Sequence, residues 1–244
     1  LQDGASKVAI LWQDTPYGVG LNSQAKAVLE KGKATVESIS FPEGETNVTS
    51  FVDKALAGKP DAIIIVSYAE SKRILPALQA KGFSGGNVYL VDGNLVDYSK
   101  DSFAEYLNGA KGTKPAKAVN ARFKSRLEAS YKKATGKTLT ETTYAESVYD
   151  AVILGALAAQ AAKSATGTGI KSQLTNVSRA GAGKVKVTSY AAGLKALQAG
   201  KKINYDGQSG TIEFDRTGDP TGAFIGIFRY SADGQSKLVR SILG

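Results

Sequence analysis

The chain has 244 residues, 42% hydrophobic and 22% charged, which describes a folded protein with apolar material for one large domain or two small ones. It holds neither cysteine nor histidine, which excludes disulfide frameworks, thiolate metal sites and the chemistry of Ser-His-Asp, Cys-His and zinc-hydrolase sites. The net charge of +9 would favour an anionic partner, but Lys111 to Lys137 hold nine basic residues against one acid, Glu128, and the remainder is close to neutral. Methionine is also absent, so further sequence is expected ahead of Leu1.

Four β-branched, apolar runs begin near Lys7, Thr35, Ala62 and Asn87, at spacings of 28, 27 and 25 residues. Each interval has room for one helix, the rhythm of βαβ units. Leu21, Ala25, Val28 and Leu29 share one helical face, and Val48, Phe51, Val52, Ala55 and Leu56 share another. Thr15 is placed as an N-cap with Pro16 in the first turn; Pro76 should kink the third helix or mark a later start, and Gly82 should end it. Residues 1–112 therefore read as a doubly wound parallel sheet with helices on both faces. Ligands in such sheets bind beyond the carboxyl ends of the strands, at a topological switch point. The loops there, Gln13 to Gly18, Phe41 to Gly44, Ser67 to Glu70 and Asp92 to Asn94, supply the aromatics, hydroxyls and carboxylates suited to a small zwitterion or cation.

A basic linker containing Pro115 follows. A helix over about 119–134 should bury Val119, Phe123, Leu127 and Tyr131. A second, opened by a capping box of Thr143 and Glu146, should run to about Lys163. It is apolar nearly all round and is expected to be buried. Weaker helices are expected near 170–177 and 190–197, and strands at 211–214, 224–230 and 238–242. Between 113 and 209 only Val185 to Val187 reads as a strand, so these helices have no obvious sheet to cover. The longest apolar run, around 151–162, is about half of the roughly 20 residues that span a bilayer.

The stretches KVAILWQDTPYGVG (Lys7 to Gly20), GETNVTSFVDKAL leading into KPDAIII (Gly44 to Ile65), YAESVYDAV (Tyr144 to Val152) and GTIEFDRTGD (Gly210 to Asp219), in that order, resemble the type I periplasmic binding proteins of ABC transporters, in particular the branched-chain amino acid (Leu/Ile/Val-binding) group. The resemblance extends over nearly the whole chain. It implies an α/β clamshell: a doubly wound lobe II over residues 1–112, the helical portion of an incomplete lobe I over 113–209, and C-terminal strands over 210–244 that return across the hinge. It further implies that the first segment of lobe I is lacking, which would leave helices 119–134 and 143–163 exposed or covered through self-association.

The implied function is that of an extracytoplasmic solute-binding component that delivers an amino acid to a membrane permease, with no catalytic residues and no cofactor. The alternative is the ligand-sensing domain of a receptor or regulator. By the resemblance, Asp92 matches the carboxylate that accepts hydrogen bonds from the ligand ammonium, Tyr17 the aromatic that closes over the ligand, and Ser67 or Tyr68 a position lining the side-chain pocket. Tyr144 and Glu146 lie where lobe I residues approach the hinge. Among competing functions, Gly18 to Ser23 imitates a dinucleotide fingerprint without its third glycine. The basic segment lacks interleaved exposed aromatics, so nucleic acid is not an expected partner. Asp14, Glu70 and Asp92 are the carboxylates through which an enzyme could act.

Overall fold

The computed structural model describes residues 3–116, 120–140, 142, 144–215 and 218–244. The chain forms two compact units, Leu1–Lys114 with Gly226–Arg240 and Pro115–Ile225 with Ser241–Gly244.

The first unit alternates β1 (Lys7–Gln13), α1 (Pro16–Lys31), β2 (Thr35–Phe41), α2 (Thr49–Ala57), β3 (Ala62–Val66), α3 (Ser71–Ala80), β4 (Val88–Leu90) and β5 (Lys111–Pro115). Sheet order is β2-β1-β3-β4-β5, all parallel, so the order reverses between β1 and β3. Strands β8 (Phe224–Tyr230) and β9 (Ser236–Leu243) extend this sheet beyond β5. Because helices cover both faces, the central strands are apolar along their length: Ile10, Ile63 and Ile65 are 0% exposed. Trp12, the single tryptophan, donates from Nε1 to Ser38 Oγ at 2.8 Å and ties β1 to β2.

Thr15 caps α1 by accepting from Gly18 N at 3.2 Å, with Pro16 in the first turn. The buried stripe of α1 is narrower than expected: Leu21, Ala25 and Leu29, spaced by four, are half-buried, while Val28 is 65% exposed. Val28 is rotated to the edge of the stripe, beyond the reach of the sheet. Helix α3 runs through Pro76 and its cap is Lys81, next to Gly82. Strand β5 corrects the expected linker. Its sequence, Lys-Gly-Thr-Lys-Pro, has no apolar pattern, and backbone pairing to Tyr89 and Leu90 places it in the sheet.

The second unit contains α4 (Ala121–Thr135), α5 (Ala145–Ala162), α6 (Gly167–Ser178), β6 (Lys184–Val187), α7 (Tyr190–Gln198) and β7 (Lys202–Tyr205). Strands β6 and β7 form a parallel pair, so the unit has a small sheet where the sequence offered only Val185 to Val187. Its core joins Leu154, Leu157 and Ala158 of α5 to Val177, Val187, Ala196, Ile203 and Tyr205. The expectation that α5 is buried all round is corrected: Val148 and Val152 are 62% and 66% exposed. The neighbours of α5 cover one side only. Within α4, Phe123 is buried and Leu127 and Tyr131 half-buried; Val119 and the capping threonine Thr143 lie outside the described residues. The expected strand at 211–214 contributes only isolated bridges, Asp206 with Thr211 and Phe214 with Pro220.

Candidate functional site

Three loops meet at the carboxyl edge of the first sheet, beside the switch point between β1 and β3. The first is fixed by close packing. Asp14 N bonds Phe41 O at 2.8 Å, and α1 starts so near the end of β1 that a Cβ on Gly18 would lie 1.8 Å from Gln13 O. Only glycine fits, and the preceding residue, Tyr17, is thereby delivered over the strand ends.

Tyr17 stacks on Tyr68, which follows β3, with ring centroids 5.1 Å apart and planes inclined by 25°. The Tyr17 hydroxyl donates to Asp92 Oδ1 and accepts from Gly93 N at 3.2 Å. Burial first, and then the bond to the Asp92 carboxylate, push the Tyr17 phenol well above its ordinary value, so it stays a neutral donor. Tyr17 and Asp92 are half-buried and Tyr68 is 45% exposed, so the cluster presents an aromatic face and a carboxylate together.

A buried polar layer holds Asp92 from behind. The single turn Asp92–Asn94 follows β4, and Asn94, 1% exposed, uses its whole amide. Its Oδ1 accepts from Val91 N at 2.9 Å, while Nδ2 donates to Ile65 O at 2.9 Å and Ser67 Oγ at 3.1 Å. Tyr98, 0% exposed, places its hydroxyl 2.8 Å from Asn94 O. Gly93 is required by proximity: a Cβ there would meet Ser67 O at 2.8 Å and the Tyr68 ring at 3.0 Å.

Of the six residues singled out from sequence, the structure brings together Tyr17, Tyr68 and Asp92. Ser67 is 0% exposed with its hydroxyl turned to Asn94, so it supports the turn and does not line a surface. Tyr144 and Glu146 belong to the second unit, at the start of α5. Tyr144 has left-handed backbone (φ 61°) and is 38% exposed; Glu146 is half-buried, and its Oε1 has no partner among the described residues.

The supporting residue Asn94 was not found from sequence, because an Asp-Gly-Asn run reads as an ordinary solvated turn. As for the three carboxylates that an enzyme might use, Asp14 is exposed, Asp92 is engaged by Tyr17, and Glu70 is 6% exposed and occupied by N–H donors. Among the described residues no group of three His, Cys, Asp or Glu side chains could hold a metal ion, and no helix is long and apolar enough to cross a membrane.

Residues 4–229 match the family model described as receptor family ligand binding region. A curated relative, the chemotactic signal transduction system substrate-binding protein BasB of Halobacterium salinarum, is 25% identical over 223 residues, covering 91% of this chain and 51% of its own length. Among solved structures, the leucine-binding protein LivK of Thermotoga maritima superposes with a TM-score of 0.72 at 20% identity, covering 99% of this chain and 61% of that one. The isoleucine complex of LivJ from Streptococcus pneumoniae gives 0.63 at 18% identity, with coverages of 98% and 60%. A solute-binding protein of R. palustris in complex with benzoate gives 0.67 at 14% identity, with coverages of 98% and 59%. The chain thus spans about half the length of the curated relative and about three-fifths of the solved ones. With the family model matched over most of its length and a parallel sheet whose loops gather at the switch point, the chain belongs to the receptor family ligand binding region and has the type I periplasmic binding protein fold.

Proposed function

We propose that the chain is part of an extracytoplasmic solute-binding protein that holds an amino acid for an ABC-type permease. The observation that supports this most directly is the Tyr17, Tyr68 and Asp92 cluster at the switch point. Asp92 accepts the ammonium of the ligand while still bonded to Tyr17, and the stacked rings supply the apolar and cation-attracting face. In this reading the first unit belongs to one lobe of that protein and the second unit, with Tyr144 and Glu146, to the other. No step of catalysis is needed.

Isothermal titration of the protein from its whole reading frame with L-leucine and L-isoleucine tests the assignment. A hydrogen bond to a charged group contributes about 1.5–3 kcal/mol, so Asp92→Ala is expected to weaken binding about 10- to 100-fold. Unchanged affinity would sink the role of Asp92. Benzoate has no ammonium, so binding of benzoate in preference to leucine would remove the amino acid assignment.

A second reading, a ligand sensor feeding a signalling partner, is favoured by the likeness to a chemotaxis protein. It shares the binding step and differs only in the partner. Retrieval of a permease subunit or of a membrane signal transducer by the ligand-loaded protein separates the two.

A further inference from the structure

Glu70 stands where β3 passes into α3. Its backbone opens the helix, accepting from Ile74 N at 3.0 Å, while its carboxylate turns back beneath the loops at the edge of the sheet. Gln13 Nε2 and Gly44 N each donate to Oε1 at 3.2 Å, and Tyr68 N donates to Oε2 at 3.3 Å. The donors come from the end of β1 and from the loops after β2 and β3, and they are brought together by a side chain that is 6% exposed. A carboxylate shielded from water is satisfied only while such donors stay in place, so the anion and the loops fix one another.

We infer that Glu70 is a positioning residue of the binding site: its buried carboxylate, bonded at once to Gln13, Gly44 and Tyr68, locks the end of β1 and the loops after β2 and β3 in register and so holds Tyr68 against Tyr17 for the ligand. The inference goes beyond the proposed function but rests on it in taking Tyr17, Tyr68 and Asp92 as ligand contacts. Glu70 itself touches no ligand and acts through the loop of Tyr68.

Glu70→Gln in the full chain is the test. The amide keeps one acceptor oxygen. With its nitrogen at the Oε2 position it confronts Tyr68 N–H; at the Oε1 position it confronts Gly44 N–H, although Gln13, whose own Oε1 has no partner among the described residues, can turn over and accept. One backbone N–H loses its acceptor either way.

Residue-resolved amide exchange should therefore accelerate about tenfold or more at Gly44 or Tyr68, while Ile10 and Ile64 in the strands keep their protection. With L-leucine as the probe, Kd should rise about tenfold, the scale of one misplaced hydrogen bond. Gln13→Met removes a single donor and keeps the side-chain length; it serves if Glu70→Gln does not fold, with the same pattern expected at smaller amplitude.

Unchanged exchange at Gly44 and Tyr68, acceleration spread evenly through the strands, or accelerated loops with unaltered leucine affinity would each overturn the inference. A wild-type protein that ignores leucine removes the proposed ligand instead, and the exchange rates at Gly44 and Tyr68 then decide whether Glu70 orders the loops.

Discussion

The two units reach stability from opposite balances of sequence and surroundings. In the first, β1 and β3 are apolar and both of their faces are covered, so composition and burial agree: Ala9, Ile10, Leu11, Ile63 and Ile65 are all 0% exposed. In the second, α5 is apolar nearly all round, yet Val148 and Val152 stay exposed while its carboxylate Asp150 is 1% exposed. That carboxylate accepts from the Tyr205 hydroxyl at 2.8 Å, Gln208 N at 2.9 Å, and Ser209 N and Oγ, both at 2.6 Å. Charge divides in the same way, since the second unit holds sixteen of the 31 Lys and Arg but only eight of the 22 Asp and Glu. Apolarity makes a segment available for burial; the surface packed against it decides whether burial happens.

Large-to-small substitutions put that contrast at risk most directly. Ile65→Ala removes a side chain that is fully buried beside Leu11 of β1, and truncations of this kind cost about 2–5 kcal/mol. Val152→Ala removes one that is 66% exposed and should cost within about 0.5 kcal/mol. In urea unfolding Trp12 reports on the first unit alone, so its fluorescence midpoint should fall sharply for Ile65→Ala, while the circular-dichroism transition of the second unit should stay put for Val152→Ala. Equal losses would show that the exposed face of α5 is covered in solution.

Asp150→Ala is the next largest. It strands the donors of Tyr205, Gln208 and Ser209, and an unpaired buried polar group costs about 1–3 kcal/mol, so about 3 kcal/mol in total is expected. The loss should appear in the circular-dichroism transition of the second unit and leave the Trp12 midpoint unchanged. A common shift of both signals would mean that the units unfold as one, and would break the separation on which the comparison stands.

The first sheet was legible because its strands are regularly spaced, β-branched and punctuated by residues such as the N-cap Thr15 and Gly82, which follows the cap of α3 with left-handed backbone. Strands β5 and β7 were not, since Lys-Gly-Thr-Lys-Pro and Lys-Ile-Asn-Tyr owe their conformation to backbone partners supplied from elsewhere. At the candidate site, the rule that ligands gather beyond the carboxyl ends of parallel strands pointed to loops that the structure brings together, and the family likeness singled out Tyr17, Tyr68 and Asp92 from them. Glu70 was read as a loop carboxylate through which an enzyme could act and Asn94 as part of a turn; their supporting roles escaped because a polar side chain in a loop looks solvated. Their burial is created by residues far along the chain, Gln13 lying 57 positions from Glu70 and Ile65 lying 29 from Asn94.

The smallest expected effect on stability belongs to Tyr17, and it tests whether the polar cluster of the first unit is as tightly coupled as its core. Burial and the Asp92 carboxylate both favour the neutral phenol in the folded chain. An acid raised on folding stabilises fully below its unfolded value, near 10.0, and loses that contribution as pH climbs through the higher folded value. Since Tyr17 is only half-buried, water screens the stability change and the titration itself is the better readout. Carbon NMR of ring-labelled tyrosine should show Tyr17 ionising well above 10.0 in the wild type and moving downward in Asp92→Asn, while remaining raised because its burial persists. An unmoved midpoint would mean that burial alone sets the phenol and that the bond to Asp92 contributes nothing to it. A midpoint that fell all the way to the ordinary value would mean that Asp92 holds the ring in its buried position, making the carboxylate an organiser of the aromatic pair.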